Sequence, residues 1–202
     1  KNLYLVTSNG ILLVFDLNKK TIIQKIDLGG RNALYDHKVI SATDNEKSII
    51  YVSFNRNLYI IDSLTNIIKN KIHLIKNPDK IIVKTGSSKI WLLDTSLGVL
   101  GSIDDVLNNS SKKDQIKYLK FVKRPQEAFF DYKLNKLYLI DSKAKFIYVL
   151  DEKDKIISTV DYREEIKNVE SVRKVFNSVV NGDDSEIVIS QLKSFNKEKL
   201  FA

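Results

Sequence analysis

The strongest constraint on the fold is a short strand-like motif that recurs along the chain. Four copies start with an apolar, an aromatic and another apolar residue, at positions 3, 50, 90 and 137, so they lie 47, 40 and 47 residues apart. A fifth, weaker copy without the aromatic residue begins at position 187. Self-similarity at this period indicates an array of one supersecondary unit. The copies are Leu3-Tyr4-Leu5, Ile50-Tyr51-Val52, Ile90-Trp91-Leu92, Leu137-Tyr138-Leu139 and Ile187-Val188-Ile189.

The segments around each copy repeat as well. A polar turn leads into a second strand that ends in Asp (11–16, 58–62 and 146–151), and a third strand then begins with Ile pairs at 22–23, 67–68 and 156–157. A further strand precedes four of the copies, at 39–43, 81–84, 128–132 and 175–180. β-Branched residues in alternating patterns, separated by Asn, Gly, Asp and Lys clusters, predict strands joined by hairpin turns.

Each complete unit therefore has four antiparallel strands in about 45 residues, which is the size of one β-propeller blade. We predict an all-β protein, a β-propeller of four-stranded antiparallel blades, with residues 1–202 forming a single domain. The 202 residues hold between four and five units. Both a ring of about five blades and part of a larger ring fit this length. Two long charged connections, 104–115 and 161–172, are interpreted as surface insertions, with binding loops as the alternative; the second also suits a short capped helix.

The second unit shows the clearest family resemblance. Its residues Ile50-Tyr51-Val52-Ser53-Phe54, Leu58-Tyr59-Ile60-Ile61-Asp62 and Thr65-Asn66-Ile67-Ile68 resemble the YVTN repeat of the quinoprotein-like, WD40-like β-propellers. The first and fourth units match partly and the third poorly. The resemblance implies the propeller fold and speaks to fold only. Because the Gly-Lys-x-x-Trp signature of quinone-dependent dehydrogenases is missing from the sequence, we expect no quinone and no other cofactor.

The composition of the chain limits the classes of binding partner that we expect. The net charge is +8, but only five of the 33 Lys and Arg residues are Arg and no basic run reaches five residues. Nucleic-acid binders concentrate basic residues and use Arg to read bases, so we predict dispersed, solvated Lys faces and no nucleic-acid partner. No apolar run is long enough for a transmembrane helix. The absence of Cys excludes disulfides, a thiolate nucleophile and Cys-ligated zinc.

Candidate chemical groups are few. His37 and His73 stand alone, without the spacing of a metal site. The recurrent Asp16, Asp62, Asp104 and Asp151 are interpreted as turn formers; the alternative is a ring of carboxylates that holds a divalent ion. The aromatic residues at equivalent positions, Tyr4, Tyr51, Trp91 and Tyr138, are predicted to pack in the core, with a ligand-stacking platform as the alternative. The sequence contains no pattern that pairs a nucleophile with a general base, so we assign no catalytic, cofactor-binding or metal-binding residue.

Three functions stay open at this point. The leading hypothesis is a non-enzymatic scaffold that binds another protein, exported or periplasmic, as an assembly or accessory factor similar to the WD40-like accessory protein of periplasmic nitrate reductase. The alternatives are a metal-dependent hydrolase or lactonase of the propeller type, and a propeller that binds glycans or small molecules. A cytoplasmic location is the alternative to export. Attachment to a membrane surface, through a partner or through a lipid anchor outside this sequence, also stays open.

Overall fold

The computed structural model describes residues 2–29, 38–107, 116–120, 124–141 and 143–163. Within these ranges the chain forms fifteen β-strands. They are β1 (Asn2–Val6), β2 (Ile11–Asp16), β3 (Thr21–Asp27), β4 (Ile40–Asp44), β5 (Ile49–Phe54), β6 (Asn57–Asp62), β7 (Ile67–His73), β8 (Lys80–Val83), β9 (Ile90–Asp94), β10 (Val99–Ile103), β11 (Lys117–Lys120), β12 (Glu127–Asp131), β13 (Lys136–Asp141), β14 (Phe146–Leu150) and β15 (Ile156–Asp161).

The strands form four sheets in which neighbours along the chain are neighbours in space. The first sheet has three strands in the order β1-β2-β3, and the other three have four strands each, in the orders β4-β5-β6-β7, β11-β10-β9-β8 and β12-β13-β14-β15. The pairing is antiparallel. Tight hairpin turns join the strands. Asn55 and Arg56 both adopt positive φ between β5 and β6, as a two-residue hairpin turn requires.

The described strands belong to two compact units, Lys1–Asp94 with Gly101–Tyr118, and Thr95–Leu100 with Leu119–Ala202. In the first unit, one cluster packs β2 and β3 against β5 and β6, through residues such as Val14 and Ile61. A second cluster packs the other face of the second sheet against β8 and β9, through residues such as Tyr51 and Ile90. The second sheet is therefore buried on both faces, and β5 is buried at each of its six positions.

The second unit has its own apolar cluster on the fourth sheet. Tyr138, Ile140, Ile147, Val149, Val160 and Tyr162 are buried together, and Phe129 packs against them. The rings of Phe129 and Tyr138 stack with their centroids 4.9 Å apart. These side chains alternate along β13 and β14, as expected where one face of a strand contributes to a core.

The outer strands β3, β7 and β15 share an irregularity. Each contains an extra residue, because the register shifts at Val14/Phe15, Ile60/Ile61 and Val149/Leu150 of the neighbouring strand. Such a bulge bends and twists an edge strand, which hinders pairing with another chain. The Ile pairs of the sequence repeat lie at the start of these bulged strands.

The all-β fold and the four-stranded antiparallel units that the sequence predicts are confirmed. The predicted second strands match β2, β6 and β14 to within one residue at each end. The structure adds β10 and β11, for which the sequence analysis predicts no strand. Of the region 161–172, in which a short helix is expected, Asp161 ends β15 and residues 164–172 lie outside the described residues, as do the fifth repeat copy at 187, the strand at 175–180 and His37. The single domain and the number of blades stay predictions.

Candidate interaction surface

The recurrent aspartates at the ends of second strands act in turns. Asp16 Oδ1 accepts hydrogen bonds from the amides of Asn18 (2.8 Å) and Lys19 (3.1 Å). Asp62 Oδ1 accepts the amides of Leu64 and Thr65 in the same way. Asp151 Oδ1 accepts those of Lys153 and Lys155. These bonds to the charged carboxylates hold the pKa of Asp16, Asp62 and Asp151 below the ordinary value. The predicted turn-forming role is confirmed at all three positions.

Asp104 differs from the other three. Its carboxylate pairs with Lys89, whose Nζ lies 2.7 Å from Asp104 Oδ1, and it is largely exposed to solvent. The described residues contain no group of three or more His, Asp or Glu side chains placed to hold a metal ion. His73 lies exposed on β7.

A second set of aspartates, which the sequence analysis does not single out, lies at the ends of first strands. Asp44, at the end of β4, is fully buried, and its Oδ1 accepts the amides of Glu46 and Lys47. Its Oδ2 also accepts the amide of Gly86, at 3.0 Å, from the β8–β9 hairpin of the next sheet. Asp131, at the end of β12, accepts the amides of Lys133 and Leu134. The available signal was an Asp at the same place in two repeats, directly before a turn.

The Asp44 contact belongs to a clamp between two neighbouring hairpins, residues 44–48 and 84–89. Lys47 Nζ donates to Ser88 Oγ at 2.9 Å. Gly86 has φ of +75°, and a Cβ at this position would overlap Glu46 Oε2. Glycine suits this position because of its positive φ, and a side chain here would also require the Glu46 carboxylate to move. The polar groups of the clamp therefore have a structural role, which is to hold the two hairpins together.

The equivalent aromatic residues lie in the core, as predicted. Tyr51 and Trp91 are fully buried and Tyr138 nearly so, whereas Tyr4 is half-buried. Tyr4 donates its hydroxyl hydrogen bond to the second sheet, with Ser63 O at 2.9 Å and Asn66 Oδ1 at 2.8 Å as acceptors. Burial, with a smaller contribution from Asp131, raises the pKa of Tyr138 to about 12. Burial and the nearby Asp44 raise the pKa of Tyr51 in the same direction.

The rings of these buried tyrosines belong to the core. Among the described residues, the Tyr51 hydroxyl has no hydrogen-bond partner, and it is enclosed by the cluster between the second and third sheets. A group in this position has no access to a substrate.

One face of the first sheet carries several exposed apolar side chains. The register places three rows of side chains side by side on this face: Leu3, Phe15 and Ile22; Leu5, Leu13 and Lys25; Thr7, Ile11 and Asp27. Leu3, Leu5 and Ile22 are 43%, 47% and 48% exposed. The opposite face of the same strands, with Leu12 and Val14, lies in the core against the second sheet. We refer to the exposed face as the first-sheet face.

Comparison with known proteins finds similarity to solved structures. No family model and no curated protein matches the chain. Among solved structures, the chain is similar to the β-propeller domain of Myceliophteria thermophila Cps50 (Swd1), with a TM-score of 0.63 and 8% identity over 79% of this chain and 51% of that chain. It is similar to a complex of KlAtg21 with the coiled coil of AgAtg16, with a TM-score of 0.54 and 14% identity over 80% and 53%. It is also similar to the dihydro-heme d1 dehydrogenase NirN, with a TM-score of 0.54 and 11% identity over 80% and 35%.

These similarities show the fold, which is that of a β-propeller built from four-stranded antiparallel blades. The chain spans about half the length, or less, of the solved structures it matches. In the part of the chain that the structure describes, no helix is long and apolar enough to cross a membrane. The assignment to the YVTN repeat stays a prediction.

Proposed function

We propose that this chain is part of a non-enzymatic β-propeller scaffold that binds another protein. The observation that carries the proposal is the first-sheet face. Two of its three rows join apolar side chains on adjacent strands, and three of these side chains are nearly half exposed. Contiguous exposed apolar surface on a folded protein marks interaction sites more often than isolated apolar residues do.

The recurrent polar groups support the same function. The carboxylates of Asp16, Asp62, Asp151 and Asp44 accept backbone amides, which is a structural use. Among the solved structures with this fold, the KlAtg21 structure is a complex with a coiled coil of another protein. Propellers expose loops and strand edges that suit protein partners, so a scaffold role is consistent with the architecture.

We propose in addition that the protein works outside the cytoplasm as an accessory or assembly factor. The motivation for this finer statement is that extracytoplasmic propellers which act as assembly or accessory factors are similar in kind, among them the WD40-like accessory protein of periplasmic nitrate reductase. Fractionation of the native host, followed by detection of the endogenous protein with an antibody, tests the location. Recovery in the cytoplasmic fraction would overturn it.

The scaffold function is tested by cross-linking the tagged protein in its native host and then reconstituting the captured complex from purified components. We expect one partner to bind in a fixed stoichiometry. The contrary result would be that no captured protein binds when purified. Metal analysis of the purified chain, combined with lactone and ester hydrolysis assays, addresses the enzyme hypothesis. A bound divalent ion together with turnover would replace the scaffold proposal.

A further inference from the structure

The first, second and fourth sheets share one backbone arrangement at the end of the outer strand, which allows their side chains to be compared. In each sheet, the amide that follows the outer strand donates to the carbonyl of the residue directly before the neighbouring strand. These bonds run from Leu28 to Gly10 at 2.9 Å, from Leu74 to Arg56 at 2.7 Å and from Tyr162 to Lys145 at 2.9 Å. All three acceptor residues have positive φ. The three positions are therefore equivalent.

The second sheet is the most basic of the three at this end. Arg56 precedes β6, and Lys71 and His73 lie two residues apart on β7, so they share one face of that strand. The equivalent residues are Gly10, Lys25 and Asp27 in the first sheet, and Lys145, Thr159 and Asp161 in the fourth. Each of those two sets contains one lysine and one aspartate, whereas the second sheet has three basic side chains and no acid. We refer to Arg56, Lys71 and His73 as the basic end.

The basic end is exposed, and its charges are not balanced within the part of the chain that the structure describes. Its three side chains are exposed to solvent, and none of them forms an ion pair with a described residue. Lys69, earlier on the same strand, does pair, with its Nζ 3.2 Å from Asp62 Oδ2. Asp27 of the first sheet accepts the amide of Gly29 with its Oδ1.

Buried groups hold parts of the basic end in place. Lys71 Nζ lies 5.3 Å from the centre of the Tyr59 ring, and the Tyr59 hydroxyl donates to the carbonyl of Leu28, which fixes the ring. The amide of Arg56 donates to Oδ1 of the buried Asn77 at 2.7 Å. Groups that are already positioned lose less conformational freedom when a ligand binds. The basic end is therefore better suited to binding than lysines on freely moving loops.

The surroundings of the basic end favour a protein ligand over a nucleic acid. Ile75, two residues beyond His73, is 71% exposed, so an apolar contact is available beside the charges. Nucleic-acid binders present a continuous basic stripe or patch. Here the first sheet has Asp27 at the equivalent position, and its carboxylate would repel a phosphate backbone that continued from the second sheet to the first.

We propose that the basic end of the second sheet binds an acidic segment of the partner protein. Carboxylates of this segment pair with the guanidinium of Arg56 and the ammonium of Lys71, and His73 donates a further hydrogen bond. An apolar residue of the segment packs on Ile75. This inference rests on the proposed scaffold function, and it adds a second contact surface and the charge of the partner.

The test compares two double variants that each remove two positive charges. Arg56→Gln/Lys71→Gln neutralises the basic end, and Lys143→Gln/Lys145→Gln neutralises the hairpin of the fourth sheet that contains the equivalent of Arg56. Binding of a fluorescein-labelled oligoglutamate peptide to the full chain is measured by anisotropy at low salt, with oligoglutamine as the uncharged control. Because both variants have the same net charge, a general attraction between the protein and the peptide affects them equally.

We expect oligoglutamate to bind Arg56→Gln/Lys71→Gln about three- to tenfold more weakly than the wild type, and to bind Lys143→Gln/Lys145→Gln as tightly as the wild type. Added salt should reduce this difference, because it screens exposed charges. Equal weakening in both variants would mean that binding follows net charge, and would overturn the proposal. Failure of the wild type to bind oligoglutamate would overturn it as well.

Two further measurements identify other occupants of the basic end. A urea midpoint that falls in Arg56→Gln/Lys71→Gln and stays unchanged in Lys143→Gln/Lys145→Gln would mean that acidic groups of this chain occupy the basic end. Loss of binding to phosphatidylserine vesicles or to oligothymidine in the first variant, with oligoglutamate binding retained, would assign the basic end to a lipid surface or a nucleic acid. Each of these results would overturn the proposal.

The native partner separates this inference from the scaffold function. A partner captured by cross-linking should bind Arg56→Gln/Lys71→Gln about three- to tenfold more weakly than the wild type. If it binds the two equally tightly, the acidic segment is wrong and the scaffold function stands. If the wild-type chain has no partner at all, the scaffold function itself fails.

Discussion

The first and second sheets are built from the same repeat but lie in different surroundings. Leu5 and Val52 occupy equivalent positions in β1 and β5, yet Leu5 is 47% exposed and Val52 is 1% exposed. Val52 lies in the cluster that joins the first two sheets, whereas Leu5 lies on the first-sheet face. An apolar residue at this repeat position is therefore compatible with two roles, and the neighbouring sheet decides between core and surface.

The largest effect expected from this comparison comes from placing a charge at the two positions. Val52→Lys would bury an unpaired ammonium group in the core, and we expect it to lower the free energy of unfolding by more than about 4 kcal/mol or to prevent folding. Leu5→Lys at the exposed equivalent should cost less than about 1 kcal/mol. Urea denaturation followed by circular dichroism measures both. Equal losses would contradict the difference in burial between the two sheets.

The next prediction compares two buried aspartates at equivalent strand ends. Asp44→Ala would leave three amides without their acceptor, including that of Gly86 from the next sheet, and should cost about 2–4 kcal/mol. Asp131 has the same turn bonds, and none of its described hydrogen bonds reaches another sheet. Asp131→Ala should therefore cost about 1–2 kcal/mol. The comparison would fail if Asp131→Ala were the more destabilising of the two in urea denaturation.

The repeat predicts the strands better than it predicts the contacts between sheets. β2, β6 and β14 follow from alternating apolar residues that end in Asp, which is a local signal. β10 lacks this signal because Gly101 and Ser102 interrupt it. A Cβ at Gly101 would lie 3.0 Å from Ile116 Cγ2, a tight packing contact that periodicity does not predict.

The candidate site shows the same limit. Asp44 and Gly86 are separated by 42 residues, and no property of either residue indicates the other. Sequence periodicity identifies the repeat unit, but only the three-dimensional structure shows which sheets each copy contacts.

A smaller effect on stability is expected from replacing two glycines that have the same backbone geometry. One lies in the clamp, and the other lies in a loop with open space around it. Gly86 and Gly29 both have φ of +75°, but a Cβ at Gly29 would meet nothing within 4 Å, whereas one at Gly86 would overlap Glu46. Gly29→Ala should cost about 1 kcal/mol through the left-handed backbone alone, and Gly86→Ala about 1–2 kcal/mol. Thermal unfolding provides the measurement. If Glu46→Ala fails to reduce the additional cost of Gly86→Ala, the carboxylate is not its source.

The smallest expected effect is on the pH dependence of the free energy of unfolding. It compares Asp16 and Asp62, which end the second strands of the first two sheets. The amide of Thr65 and then Lys69, whose Nζ lies 3.2 Å from Asp62 Oδ2, lower the pKa of Asp62 from 3.8 in the native state. Asp16 pairs instead with Lys19 of its own turn, whose Nζ is 4.0 Å from Asp16 Oδ2. A lowered native pKa stabilises the fold above the unfolded-state pKa, and this contribution is lost as the pH falls through the native value.

We therefore expect the difference in unfolding free energy between the wild type and Asp62→Asn to shrink as the pH falls from about 5 to about 2. The change should be smaller for Asp16→Asn, because its cation is farther from the carboxylate. Both carboxylates are at the surface, so added salt should weaken the contribution of Lys69 while leaving that of the Thr65 amide. Urea denaturation across this pH range, at low and high salt, measures the effect. A pH-independent difference would mean that Asp62 stabilises its turn equally well when protonated, and that the hydrogen-bond geometry of the turn outweighs the charge on the carboxylate.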